Sequence, residues 1–175
     1  MKNIQYLLCS LYITLSLLTP HHNSIPTILY KISRKEMSVG LLDGATILGF
    51  IEDDEAFSSS VQDRFAYLDT NHDGILSYSE MLKELQSLRM IETHFGVDVK
   101  PDPKELARVY DSSFVQFDRD SNGTVDFEEF KAETKLMLLA MANEIGFLPV
   151  QMILDEDSFL KKAVDTEDMK LQSGV

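Results

Sequence analysis

Two stretches of twelve residues, Asp69–Glu80 (DTNHDGILSYSE) and Asp118–Glu129 (DRDSNGTVDFEE), begin forty-nine residues apart and obey one spacing rule. Oxygen-bearing side chains stand at the first, third and fifth places, a glycine at the sixth and a glutamate at the twelfth. A hard divalent cation of calcium's size takes six to eight oxygen ligands, so a short loop that binds it must curl and aim several oxygens inward. In the second stretch Asp118, Asp120 and Asn122 can supply side-chain oxygens, and Gly123 allows the sharp turn that a Cβ would hinder. Thr124 offers its backbone carbonyl, Asp126 can act through a water, and Glu129 closes the site with both carboxylate oxygens. The first stretch repeats the set with Asp69, Asn71, Asp73, the Ile75 carbonyl, Ser77 through water and Glu80, around Gly74. One such stretch alone would also fit an acidic surface turn that contains a glycine. Two complete copies, each between apolar helical patterns, argue against that reading.

The flanks carry the same message. Val61, Phe65 and Leu68 share one helical face before the first loop, and Tyr110, Phe114 and Phe117 repeat the spacing before the second. Loop plus flanking helices resembles the EF-hand, and the chain resembles a two-EF-hand calcium-binding protein over roughly residues 57–146. The long connection between the loops and the added terminal segments resemble a little-described plant group of such proteins. The resemblance implies an all-α fold of paired helix-loop-helix units, two bound calcium ions, and a short antiparallel contact between Leu76 and Val125, which both stand at position eight.

The expected organisation follows from these anchors. Residues 1–36 form an N-terminal extension, 37–56 a short helical segment, 57–147 the paired domain, and 148–175 a C-terminal helical segment and tail. The two hands span 57–92 and 103–146. Within the second segment a helix is expected to begin near Asp43 and turn Ile47, Leu48 and Ile51 inward, with Glu52–Glu55 read as a solvated acidic turn. Met81, Leu82, Leu85, Leu88 and Ile91 give the stripe of the first exit helix, which Gly96 can end. Asp102, Pro103 and Glu105 read as cap, first helical residue and capping-box partner. Phe127, Phe130, Met137, Met141 and Ile145 mark the last exit helix, bounded by Gly146. Val150, Ile153 and Leu154, then Phe159, Leu160, Ala163 and Val164, form two apolar faces, so this segment is expected to fold back and be buried.

Charge narrows the partners. The formal net charge is -13, yet Lys2, Lys31, Arg34 and Lys35 against Glu36 leave residues 1–36 at +3 and the rest at -16. Such a body suits cations and basic amphipathic peptides and repels nucleic acid. The apolar run Ile4–Leu18 after Lys2 resembles a secretory signal without its small-residue cleavage site, and it is shorter than the ~20 residues of a membrane span. A marginal anchor, an organelle transit peptide and a true start at Met37 are the other readings, so a membrane partner arises only if the run is retained. The cytoplasm is the expected compartment, with the secretory pathway as the alternative if residues 4–18 act as a signal.

No catalytic constellation is visible. Cys9, in the leader, is the only cysteine, so no intramolecular disulfide can form; His21 and His22 read as solvated, His72 is inside a loop, and His94 falls near a helix end. The function is therefore expected to be calcium binding without enzymatic activity. A calcium sensor is the favoured reading, with Met81, Met90, Met137 and Met141 as candidates for an exposed groove. A calcium buffer and a secreted or luminal calcium-binding protein are the alternatives. The second loop, with carboxylates at Asp118, Asp120, Asp126 and Glu129 against Asp69, Asp73 and Glu80, is expected to bind more tightly.

Overall fold

The computed structural model describes residues 37–87 and 102–174. Expectations placed on Ile4–Leu18, Cys9, His21, His22, Leu88, Met90, Ile91, His94 and Gly96 lie outside the described residues. Those described are mainly helical, in the order β1 (Met37–Leu42), α1 (Gly44–Glu52), α2 (Asp54–Leu68), β2 (Leu76–Ser77), α3 (Tyr78–Ser87), α4 (Pro103–Phe117), β3 (Thr124–Val125), α5 (Phe127–Ile145), β4 (Val150–Asp155) and α6 (Phe159–Ser173). The all-α reading of the paired hands holds. Among the described residues no helix is long and apolar enough to cross a membrane.

Local chemistry sets the helix ends. Asp43 caps α1 by accepting from the Thr46 backbone N–H at 2.8 Å and its hydroxyl at 3.1 Å, at the start the sequence suggests. Asp102 caps α4 through the Lys104 N–H at 2.9 Å, with Pro103 following at the first helical position and Glu105 in the first turn. Gly146 ends α5 with φ at 70°, a conformation that a side chain would strain. The acidic stretch Glu52–Glu55 is solvent-exposed as expected, with Asp53 half-buried, but it is a corner between two helices rather than a free turn. Asp53 ends α1 and also caps α2 through the Ala56 N–H, so a single residue sets the corner between the two helices. Its carboxylate also meets Lys170 of α6 at 3.1 Å. The first hand's entering helix consequently begins at Asp54, three residues before the expected start of the hand at residue 57.

The two hands meet through aromatic rings. Phe65 of α2 sits edge-on to Phe127 and Phe130 of α5, with centroids 5.6 and 5.8 Å away, and Phe117 of α4 stacks on Phe130 at 5.7 Å. Such pairs add to area burial and fix relative helix orientation. Tyr78 of α3 meets Phe114 of α4 at 5.2 Å and donates its hydroxyl to Asp111 at 2.8 Å. The core continues into α1, where Ile47, Phe50 and Ile51 are buried and Phe50 lies edge-on to Phe57 of α2. Helix α1 rests chiefly on α5 and α6, with a smaller contact to α2.

The terminal segments are not wholly helical. Strand β1 pairs antiparallel with β4, Val39 opposite Ile153 and Leu41 opposite Gln151. The alternation of a half-buried sheet follows: Leu42, Met152 and Leu154 are buried, while Val39, Leu41 and Ile153 face outward. Val150, Ile153 and Leu154 therefore do not share one helical face, and the segment expected to be helical from 148 onward becomes a helix only at Phe159. A short apolar run cannot be told from a helix segment by its own pattern, and here a strand more than a hundred residues away decides it. The segment does fold back, burying Leu160 and Ala163 of α6, but it lies on α1 and β1 and only lightly on α2. Helix α1, not the tail, covers the α2–α5 face. Helix α6 continues to Ser173.

The closest seam is at Gly44, whose N–H donates to the Gly146 carbonyl at 2.6 Å. A Cβ on Gly44 would stand 2.4 Å from the Ala142 carbonyl oxygen and 2.7 Å from that of Gly146, both backbone atoms. Gly44→Ala is expected to destabilise the fold by about 1–3 kcal/mol, the usual range for overpacking, read as a lower midpoint in urea. Gly49→Ala is the control, because its Cβ would meet only the Glu167 carboxylate at 4.0 Å. It should be neutral or slightly stabilising in a helix.

Candidate metal centre

Both loops are wound by their own side chains. In the second, Asp118 accepts from the N–H of Asn122 and of Gly123, each at 2.9 Å, and Asp120 accepts from Asn122 N–H at 3.0 Å. The Asn122 side-chain oxygen in turn accepts from the Thr124 N–H at 2.8 Å. The first loop repeats this: Asp69 accepts from Asp73 N–H at 3.2 Å and Gly74 N–H at 2.9 Å, Asn71 from Asp73 N–H at 3.0 Å, and Asp73 from Ile75 N–H at 3.0 Å. Backbone donors turned onto the first carboxylate curl the chain around it, which is how a short polar side chain competes with regular structure.

Glycine at the sixth place is required by conformation, since φ is 83° at Gly74 and 87° at Gly123. The fourth place is left-handed too, with φ of 59° at both His72 and Ser121. This second demand on the backbone is absent from the ligand spacing, and it falls on different residue types in the two loops. Neither type signals it strongly.

Each loop is closed by its twelfth residue. Glu129 accepts from the N–H of Arg119 at 2.9 Å, of Asp120 at 3.2 Å and of Asp126 at 3.0 Å, while Asp126 accepts from Glu129 N–H at 2.8 Å. The last two bonds form a capping box, so the residue that closes the loop also starts α5. Glu80 plays the same part, accepting from the Thr70 N–H and hydroxyl at 2.9 Å each and from the Ser77 N–H at 3.0 Å and hydroxyl at 2.7 Å. Ser77 and Thr70 thereby hold Glu80's carboxyl down at about 2, well below its ordinary 4.5.

Between the loops, Leu76 pairs with Val125 and Ser77 with Thr124 in a two-stranded sheet, as the position-eight residues imply. Leu76 and Val125 are completely buried, so the two loops share a backbone link and a piece of core. Ligand-type carboxylates converge as well. Oxygens of Asp118, Asp120 and Glu129 lie within 4.8 Å of one another, a set of hard anionic donors that fits calcium. In the first loop Asp69 and Glu80 are buried beside the exposed Asn71 and Asp73.

Residues 58–135 match the family model for an EF-hand domain pair. This stretch is an EF-hand domain pair, a calcium-binding domain. No match was found among curated proteins or among solved structures. Within the pair, the entering and exiting helices are α2 and α3 for the first hand and α4 and α5 for the second.

Glu80 makes the calcium-free protein acid-sensitive in a defined window. A carboxyl whose folded value is depressed stabilises fully above its unfolded value, and that contribution is lost as pH falls through the folded value. For Glu80 the window runs from 4.5 down to about 2. Urea midpoints of calcium-free wild type and Glu80→Gln, measured from about pH 6 to about pH 2, should therefore converge as acid is added, with the variant less stable at the neutral end.

Proposed function

We propose that the protein is a calcium sensor that binds two ions and passes the event to α1. In the first hand Asp69, Asn71, Asp73, the Ile75 carbonyl and Glu80 hold the ion, with Ser77 acting through a water. In the second Asp118, Asp120, Asn122, the Thr124 carbonyl and Glu129 hold it, with Asp126 acting through a water. Two full donor sets joined by the Leu76–Val125 contact support two coupled ions. Calcium draws the anionic oxygens together and cancels their repulsion; no catalytic step is involved.

The observation that carries the sensor reading is the seat of α1. It rests on α5, whose first turn holds the second loop's closing glutamate, and touches α2, which is capped by the first loop's Asp69. Any change in the angle of these two helices must repack Ile47, Phe50 and Ile51. A buffer, in contrast, binds without such a change. Helix α1 already occupies the face that an open lobe offers to a target, so a basic amphipathic peptide, favoured by the acidic surface, would have to displace it. Of the compartments, the cytoplasm fits an exchangeable calcium signal best.

Hydrogen exchange separates sensor from buffer. With calcium, altered protection should reach α1 at residues 44–52 as well as the loops at 69–80 and 118–129. Changes restricted to the two loops would establish the buffer reading.

A further inference from the structure

The two hands align residue for residue with a shift of forty-nine positions, which takes Asp69 to Asp118, Glu80 to Glu129, Phe65 to Phe114 and Leu76 to Val125. Among the places where they differ in charge, one bridges the entering and exiting helices. In the first hand, Arg64 of α2 donates from Nε to Glu84 Oε2 of α3 at 2.8 Å, and its Nη2 meets the same oxygen. The pair is largely shielded, with the Glu84 side chain only 5 % exposed and that of Arg64 16 %. Arg64 is further steadied by Tyr67, whose ring centroid lies 5.4 Å from the guanidinium carbon. In the second hand the corresponding residues are Ser113 and Glu133, both buried. Ser113 donates its hydroxyl to the Val109 carbonyl of its own helix at 2.8 Å and carries no charge to set against Glu133.

We propose that Arg64 and Glu84 fasten the first hand's helices at a fixed angle, so that calcium separates α4 from α5 in the second hand and leaves α2 and α3 in place. This rests on the sensor reading above. Arg64 lies five residues before the first ligand position and Glu84 four residues after the closing glutamate, so the pair bridges the helices about one turn from the loop. Swinging α3 away from α2 would strand a buried carboxylate and a shielded guanidinium, and breaking a buried pair is far more costly than losing a surface one. In the second hand the balance has the opposite sign. Glu133 is held in the closed arrangement without an arginine across from it, and burial pushes its carboxyl above the usual range against the pull of Arg119. Separation of α4 from α5 rehydrates that group.

Paired nitroxide labels read by pulsed electron resonance test this in the full chain, with Cys9→Ser to leave a single labelled pair. One pair is placed at Gln62 and Lys83 in the first hand and the other at Ser112 and Lys135 in the second, all four exposed. Between chelator and calcium, the 112/135 distance should shift by several ångströms and the 62/83 distance should not shift. Replacing the ion pair by apolar residues of similar length, Arg64→Met with Glu84→Leu, should then give the 62/83 pair a calcium-dependent shift of its own. Should that double variant lose its helical circular dichroism, Glu84→Gln alone, which removes the charge and keeps the volume, is read in the same way. A calcium-dependent 62/83 shift in the unaltered chain, or none in the folded variant, overturns the proposal while leaving the sensor reading intact. Immobility of both pairs in the unaltered chain overturns both.

Discussion

Carboxylates crowded onto one short loop repel one another, and the fold depends on how that repulsion is contained. Backbone N–H groups are the local answer: those of Asn122 and Gly123 point at Asp118, and those of Arg119, Asp120 and Asp126 at Glu129. These bonds turn the backbone onto the carboxylates and shape the loop. They also decide where the helices lie, because Glu129 is both the loop's closing residue and the capping-box partner of α5. Loop geometry and helix direction are thus set by the same few atoms. A cation that pulls on Glu129 pulls on the first turn of α5.

From there the coupling runs inward through packed side chains. Phe127 and Phe130, in the first turns of α5, hold the rings of Phe65 and Phe117, so the start of one exit helix is fixed against both entering helices. Further along α5, buried Leu138, Met141 and Ala142 belong to the same core as α1, and the Gly44–Gly146 bond ties the two helices where α5 ends. Helix α6 closes the arrangement from the other side: Lys170 bonds the Gly49 carbonyl at 3.3 Å and pairs with Asp53. Each of these contacts is modest alone, and an ion pair as exposed as Lys170–Asp53 adds little stability. Their joint effect is to make α1 part of the core rather than a loose appendage.

What the sequence disclosed depended on how local each cause was. The ligand spacing, the Asp43 and Asp102 caps, and the end of α5 at Gly146 act within a few residues, and all were legible. So was the Leu76–Val125 contact, through the repeat. Pairing of Met37–Leu42 with Val150–Asp155 was not, because neither segment identifies itself as a strand without the other. Asp53 looked like one more acid in a solvated run because its partner Lys170 lies more than a hundred residues away. The left-handed backbone at His72 and Ser121 left no clear mark, since neither residue type demands it. The Arg64–Glu84 difference between the hands was visible in principle by aligning the two repeats. Its meaning required burial, which only the packed helices supply.

Two coupled calcium ions, the tighter one in the second loop, are the occupancy expected from the donor sets. Titration calorimetry on wild type, Glu80→Gln and Glu129→Gln measures this directly. Two ions per chain are expected in the wild type, with the tighter event lost in Glu129→Gln and kept in Glu80→Gln. Fewer than two binding events, or loss of the tighter one in Glu80→Gln, would contradict it.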